Sequence, residues 1–366
     1  MATLTPGHSG SVFTRRRLMG AGLAAPFSAL LLTSCGGEAK GANIIGLAAS
    51  GGMFNDVLRH VWTDEFSKQT GVKVNLSPAT SLALAKLQTV TDHPQWDLFE
   101  LTGPQYELAV RQDLLLPIDT AIVDVKSIPA QYVKPYGIMY AIFNSCIAWD
   151  RRQIADVRQP SGWADVWDVK GRPGKRSLDP VNGGAGVMEI ALIADGVSPD
   201  KLYPLDVDRA FRSLDRLGQQ NIIWSNSIEE TVQRLVSSEV SLASTWPFRV
   251  IKADEGGANI GFNFNQCMVE GEYLCVVKTT RNPKAAFKLI DWIVSSPPAC
   301  AEFSRLTHYG TPNLASLKLL SPADAALIPT NPVVAEKLFP SDDVWWSQNL
   351  EQVSTRFKKW QLGVQT

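Results

Sequence analysis

The sequence predicts an α/β protein in two parts, and three observations carry that expectation. A strand, a glycine turn, a helix and a second strand follow one another between residues 43 and 76, the order that yields a right-handed parallel unit. The same alternation restarts after Tyr140. Beyond a leader that ends at Cys35, about 330 of the 366 residues remain, two domains' worth of chain.

The leader reads Thr14-Arg15-Arg16-Arg17, then an apolar run from Leu18 to Leu32, then Leu32-Thr33-Ser34-Cys35. Consecutive arginines before a short Gly/Ala-rich run resemble a twin-arginine export signal. The closing tetrapeptide resembles a bacterial lipobox, which implies diacylation of Cys35 as the new N-terminus. The run is fifteen residues long and interrupted by Pro26, short of the roughly 18 apolar residues of a spanning helix. Residues 1–35 are therefore expected to be a signal peptide and 36–42 a linker. Lipid on Cys35 would be the only membrane attachment of a soluble body, since no later stretch is apolar enough to span a bilayer.

That body has 45% hydrophobic and 19% charged residues and a net charge of -1, which gives no electrostatic case for nucleic acid. Cys146, Cys267, Cys275 and Cys300 remain after Cys35. They could pair in three ways and form no CxxC, and mostly buried thiols are expected, with pairing open.

Asn43 to Ala48 is an apolar strand that runs into Ser50-Gly51-Gly52. Phe54, Val57, Leu58, Val61, Trp62 and Phe66 then recur at three and four residues, predicting a helix over Met53 to Lys68 that Gly71 closes. Val72 to Leu76 alternates as a strand, Thr80 and Ser81 can cap a helix through Val90, and Trp96 to Leu101 is a third strand before a helix over Gln105 to Gln112. After Tyr140 come strands over Phe143 to Trp149, Lys175 to Leu178 and Val240 to Thr245. Helices are expected over Trp163 to Trp167, from an opening at Asp179 to Gly186 through about Ala194, over Asp206 to Leu217 and over Ile228 to Ser237. Tyr273 to Val277 is a further strand, Pro283 to Val294 an amphipathic helix, and Asp342 to Trp360 a Trp-rich tail helix.

Several short stretches, in order, carry a resemblance: Glu65-Phe66-Ser67-Lys68-Gln69-Thr70-Gly71-Val72-Lys73-Val74, Pro94-Gln95-Trp96-Asp97-Leu98, Tyr136-Gly137-Ile138-Met139-Tyr140 and Trp163-Ala164-Asp165-Val166-Trp167-Asp168. Trp246, Tyr309-Gly310-Thr311-Pro312-Asn313 and Trp345-Trp346-Ser347-Gln348-Asn349 complete them. Nearly all of the mature chain resembles bacterial extracellular solute-binding proteins of ABC importers, in the cluster that holds the spermidine/putrescine binders and their relatives for ferric iron, thiamine and aminoethylphosphonate. The resemblance implies a type II periplasmic-binding-protein fold, two α/β lobes joined by crossing strands with the ligand between them. The crossings would fall near Tyr140 to Ala148 and Gly271 to Val277, giving lobe 1 as 43–139 with 271–310 and lobe 2 as 140–270 with 311–366. It also implies a monomer held at the cell envelope, with a small-molecule ligand and ABC permease transmembrane subunits as partners.

Catalysis would need a nucleophile with its base, or a metal cluster. His60, His93 and His308 form no His-x-x-x-His, Gly-x-Ser-x-Gly is absent, and the Gly-x-Gly-x-x-Ala of Gly20 to Ala25 lies in the leader with no strand before it. No catalytic residue, cofactor or metal site is expected, and a secreted enzyme is the alternative of another class. A binding cleft needs only a few polar groups on partly aromatic walls. Ser50, Gly51 and Gly52 sit at a strand-to-helix turn where backbone N–H groups face outward, and Asn182, Gly183 and Gly184 repeat that geometry at Asn182-Gly183-Gly184-Ala185-Gly186. Thr102 and, less directly, Glu100 end the third strand. Tyr140 and Asn144 on the first crossing, Tyr273 on the second, and Trp224 and Trp246 after strand-like runs complete the expected ligand-binding set. Trp345 and Trp346 are expected to pack in the core.

Two departures from the family bear on the ligand. Polyamine binders carry acidic residues where this chain has Gly183 to Gly186, and a tryptophan and an aspartate where it offers Glu272 and Tyr273. A small anion or zwitterion, carboxylate or phosphonate, thereby rivals a polyamine, and ferric iron fits poorly because no adjacent tyrosines occur. The leader gives a first test: radiolabelled palmitate should enter the wild type and not Cys35→Ala, and label in both would refute the lipobox.

Overall fold

The computed structural model describes residues 43–91, 94–178 and 186–363. The described strands are β1 (Ile44–Ala48), β2 (Lys73–Ser77), β3 (Leu98–Thr102), β4 (Val133–Lys134), β5 (Gly137–Asn144), β6 (Cys146–Asp150), β7 (Arg176–Leu178), β8 (Ile222–Trp224), β9 (Leu242–Thr245), β10 (Ile260–Asn263), β11 (Cys267–Val276) and β12 (Leu338–Pro340). They form two sheets, one in each lobe. The first runs β2-β1-β3-β11-β5-β4 with β12 alongside β11, and the second runs β10-β6-β9-β7-β8.

The opening unit forms as its sequence dictates. Ile45, Leu47 and Ala48 are buried in β1, and the chain leaves through Gly51 at φ 85°. Helix Gly52–Leu58 continues through a π turn, Arg59–Thr63, into helix Asp64–Thr70, which buries Trp62 and Phe66. Gly71 ends it at φ 73°, donating its N–H to Ser67 O at 3.0 Å. β2 then lies parallel to β1, with Ile44 opposite Lys73. On the other side of β1, Gly46 is pressed against the chain entering β3. Its N–H donates to Asp97 Oδ2 at 2.8 Å, and a Cβ there would lie 2.3 Å from Gln95 O.

The lobes exchange strands at two adjacent points. Ser145 alone separates β5 from β6, and residues 264–266 separate β10 from β11. Here the two connections run side by side, with Ser145 N–H donating to Met268 O at 3.0 Å and Met268 N–H to Ser145 Oγ at 3.1 Å. The return thus lies before Gly271 to Val277, where the sequence placed it. Gly271 sits inside β11 for packing: a Cβ would come 2.4 Å from Met139 Sδ.

The tail helix, Asp343–Gln361, touches both lobes. Trp346, Phe357 and Trp360 bury into the second lobe's core with Ile190, Phe211 and Leu214, and Trp346 Nε1–H donates to Glu189 Oε1 at 2.6 Å. At its start, Arg111 from the first lobe donates to Ser347 Oγ and O, both at 2.8 Å. Lys134 Nζ sits 2.7 Å from Glu107 Oε1 and 3.3 Å from Asp343 Oδ2, over the Tyr106 and Tyr273 rings. Cys146, Cys267, Cys275 and Cys300 are all free and buried. Among the described residues no helix is long and apolar enough to cross a membrane.

The close approach at Gly46 is testable. Because the obstructing atom is backbone, Gly46→Ala should lower unfolding free energy by about 1–3 kcal/mol, read from urea denaturation. An unchanged midpoint would show that β1 and the chain entering β3 can move apart freely.

Candidate functional site

Ligands of open α/β sheets sit beyond the carboxyl ends of the strands, and both lobes direct such ends at one cleft. β1 ends into Ser50 and Gly51, β3 carries Glu100 and Thr102, and β9 ends into Trp246, which precedes helix Pro247–Glu255. Two cavities occupy the cleft. The first, about 290 Å³, is lined by Ser50, Gly51, Glu100, Trp246, Arg249 and Tyr309 among others. The second, about 440 Å³, reaches Thr102, Ser145, Ser244, Glu270, Asp343 and the tail helix. Phe143, Trp246 and Glu272 line both.

Aromatic rings from both lobes wall the first cavity. Phe143 packs on Trp246 with centroids 5.0 Å apart and on Tyr309 at 5.2 Å, while Phe54 meets Tyr309 at 5.9 Å. Phe248 joins them and lies under the Arg249 guanidinium, 5.5 Å from its centroid.

Two carboxyl groups share this apolar setting. Glu100 is fully buried; its Oε2 accepts from Tyr140 Oη at 2.7 Å and its Oε1 from Ser50 Oγ. Burial raises its pKa above the usual carboxylate value, against the lowering effect of those two donors. The Glu272 side chain, only partly buried, makes no hydrogen bond or ion pair among the described residues, while its backbone pairs within the sheet. Burial, then the charge of Glu100, then that of Glu270, push it well above the usual range. No lysine or arginine among the described residues pairs with either.

Arg249 supplies the opposite charge in the same cavity. Its Nη2 reaches Glu229 Oε1 at 2.5 Å, at the start of helix Ile228–Val236, whereas its Nε–H is buried without an acceptor among the described residues. The cavity therefore holds an acidic pair on the first lobe, a guanidinium with an unused donor on the second, and rings between.

The expected site residues divide accordingly. Ser50, Gly51, Gly52 and Trp246 line the first cavity, and Thr102 and Trp246 the second. The Gly51 N–H, expected to face a ligand, donates instead to Asn55 Oδ1 at 3.0 Å. Tyr140 lies behind the wall, buried against Trp62 and Phe303, and acts on the cleft only through Glu100. Asn144 is buried and donates to Ser145 O at 2.5 Å. Trp224 turns edge-on to Phe357 and Trp360, away from both cavities. Tyr273 stacks on Tyr106 at 4.8 Å, on the far face of β11 from Glu272. Asn182, Gly183 and Gly184, with Cys35 and the leader, lie outside the described residues. The sequence reading passed over Phe143, Phe248, Arg249 and Tyr309. Phe248 and Arg249 follow Trp246 in the first turn of the same helix, a position that a strand ending in the cleft could have flagged.

The family described as bacterial extracellular solute-binding protein matches residues 62–335. The chain belongs to this family. It is 30% identical over 288 residues to the gamma-aminobutyric acid-binding protein of Pseudomonas aeruginosa, covering 76% of this chain and 79% of that protein. The spermidine/putrescine-binding periplasmic protein of Salmonella typhimurium is 25% identical, over 83% of this chain and 92% of its own. Among solved structures, an ABC transporter substrate-binding protein from Bradyrhizobium japonicum superposes with a TM-score of 0.80 at 30% identity, covering 86% of this chain and 98% of that one. The two-lobed fold and the binding of a small polar solute for an ABC importer follow from this membership. An acidic pair without a cation among the described residues is a liability for the empty protein.

That liability has a measurable sign. A carboxyl whose pKa is raised in the folded state loses stability as pH climbs from about 4.5, its unfolded value, through the raised value, because the unfolded chain sheds the proton first. Glu272→Gln should therefore raise the melting temperature of the empty protein at pH 8, and the gain should shrink at pH 4.5. An equal or negative effect at both would show that Glu272 is not strained.

Proposed function

We propose that this protein captures a small zwitterion with an ammonium at one end and a carboxylate at the other, an ω-amino acid of the 4-aminobutyrate type, and delivers it to the permease without altering it. The observation that carries the reading is the charge arrangement of the first cavity. Glu100 and Glu272 receive an ammonium, Phe143, Trp246 and Tyr309 surround its alkyl chain, and the Arg249 guanidinium receives the carboxylate. The name of the Pseudomonas aeruginosa relative agrees with it. A diamine would satisfy the acidic pair and leave Arg249 unanswered. The resemblance of residues 14–35 to an export signal and lipobox supports a protein working at the cell envelope, anchored through Cys35. The family's role in transport supports binding without turnover.

Calorimetry with 4-aminobutyrate, putrescine, spermidine and butyrate tests the reading. 4-Aminobutyrate should bind most tightly. Trp246→Ala should weaken it by about thirtyfold, roughly 2 kcal/mol, with an unchanged circular dichroism spectrum. Arg249→Met should cost at least as much for 4-aminobutyrate and nothing for putrescine. Binding of diamines and polyamines alone would overturn the assignment of Arg249.

A further inference from the structure

The second cavity, about 440 Å³, is larger than the first and meets it along Phe143, Trp246 and Glu272. Its charge differs in kind. Three carboxyl residues line it, Glu270, Glu272 and Asp343, and no lysine or arginine among the described residues does. Lys134 approaches Asp343 from behind, out of the cavity. Ser244 and Ser354 add hydroxyls over an apolar floor that includes Met268 and Leu350. A bare ω-amino acid stretched between Glu100/Glu272 and Arg249 stays within the first cavity and leaves this space to water.

Resting on the amino-acid reading above, we propose that the second cavity is a subsite for a cationic extension on the ligand's nitrogen, so that the solute class includes N-aminoalkyl amino acids. The carboxylate stays on Arg249 and the now secondary ammonium stays between Glu100 and Glu272. An alkyl chain passes the Phe143–Trp246 pair, and a terminal ammonium meets Glu270 and Asp343. Glu272 lines both cavities, so the branch begins at a group that already holds the nitrogen. An anionic extension is rejected, since it would be desolvated beside three acidic residues in a cavity that no lysine or arginine among the described residues lines.

Calorimetry with three probes decides it: 4-aminobutyrate, N-(3-aminopropyl)-4-aminobutyrate and N-(2-carboxyethyl)-4-aminobutyrate. The aminopropyl probe should bind at least tenfold tighter than 4-aminobutyrate, and the carboxyethyl probe at least tenfold weaker than the aminopropyl one. Ser354→Trp, which fills the far end of the second cavity from a partly buried helix position, should cut the aminopropyl affinity at least tenfold and leave 4-aminobutyrate within twofold. Binding of 4-aminobutyrate with weaker binding of the aminopropyl probe overturns the subsite and leaves the amino-acid reading intact. Equal affinity for the two extended probes, or equal loss of short and extended ligands in Ser354→Trp, also overturns the subsite. Failure of all three probes to bind overturns both readings.

Discussion

A carboxyl group held in the apolar centre of a protein without a cation is the constraint around which this cleft is arranged. Glu100 is fully buried on β3, and among the described residues Ser50 and Tyr140 donate to its carboxyl group. Two hydroxyl donors offset part of the desolvation of a carboxylate, not all of it, and Glu272 in the next strand adds a like charge. Replacing such a pair by apolar residues would make the empty protein more stable. Their presence is explained if the state that matters is the occupied one, in which a ligand cation converts the strain into binding free energy.

The fold supplies the rigidity that this arrangement requires. Glu100 and Glu272 sit in neighbouring strands of one sheet, with Glu272 opposite Thr102 in register, and the fully buried Glu100 cannot swing out to water at small cost. Around them the connections are paired: Ser145 and Met268 hold the two interlobe strands side by side, and the tail helix adds a third tie through Arg111, Ser347, Lys134 and Asp343. Movement of one lobe against the other must therefore pivot about strands and be accommodated at the tail helix, whose start is fixed to one lobe while Trp346, Phe357 and Trp360 are buried in the other.

Local signals in the sequence gave the elements, and long-range packing gave the site. The strand, glycine turn and helix of residues 44–70 were legible because a 3.6-residue period and Gly71 act within one segment. The family resemblance placed Trp246 in the cleft, and the residue lines both cavities. Tyr140, Tyr273 and Trp224 line neither cavity. β5 is apolar up to Asn144, so alternation there carries no polar mark to say which residues enter the cleft, whereas Glu270 and Glu272 mark one face of β11. Phe143 enters the cleft, while Tyr140 packs against Trp62 and Phe303. Glu272 does, while Tyr273 stacks on Tyr106. Trp224 followed a strand as Trp246 did, but its strand β8 is at the edge of the second sheet, where the tail helix covers it. Arg249 was not legible because its meaning depends on a carboxyl pair more than 100 residues away in one case and on the other lobe in both.

The distribution of charge between the lobes also explains how binding could be coupled to their approach. The acidic pair belongs to the first sheet, on β3 and β11, and Arg249 to the helix that follows β9 of the second. Each group alone can be satisfied by a monovalent ion with no consequence for the other lobe. The proposed zwitterion would bridge them, so the free energy of desolvating both ends would be recovered only when the lobes stand at the separation the ligand's length sets. Selection for length and selection for the closed arrangement then become one requirement. On that reading a ligand whose charged ends lie too close together leaves Arg249 on Glu229, and a matching span between the two ends stabilises the closed arrangement.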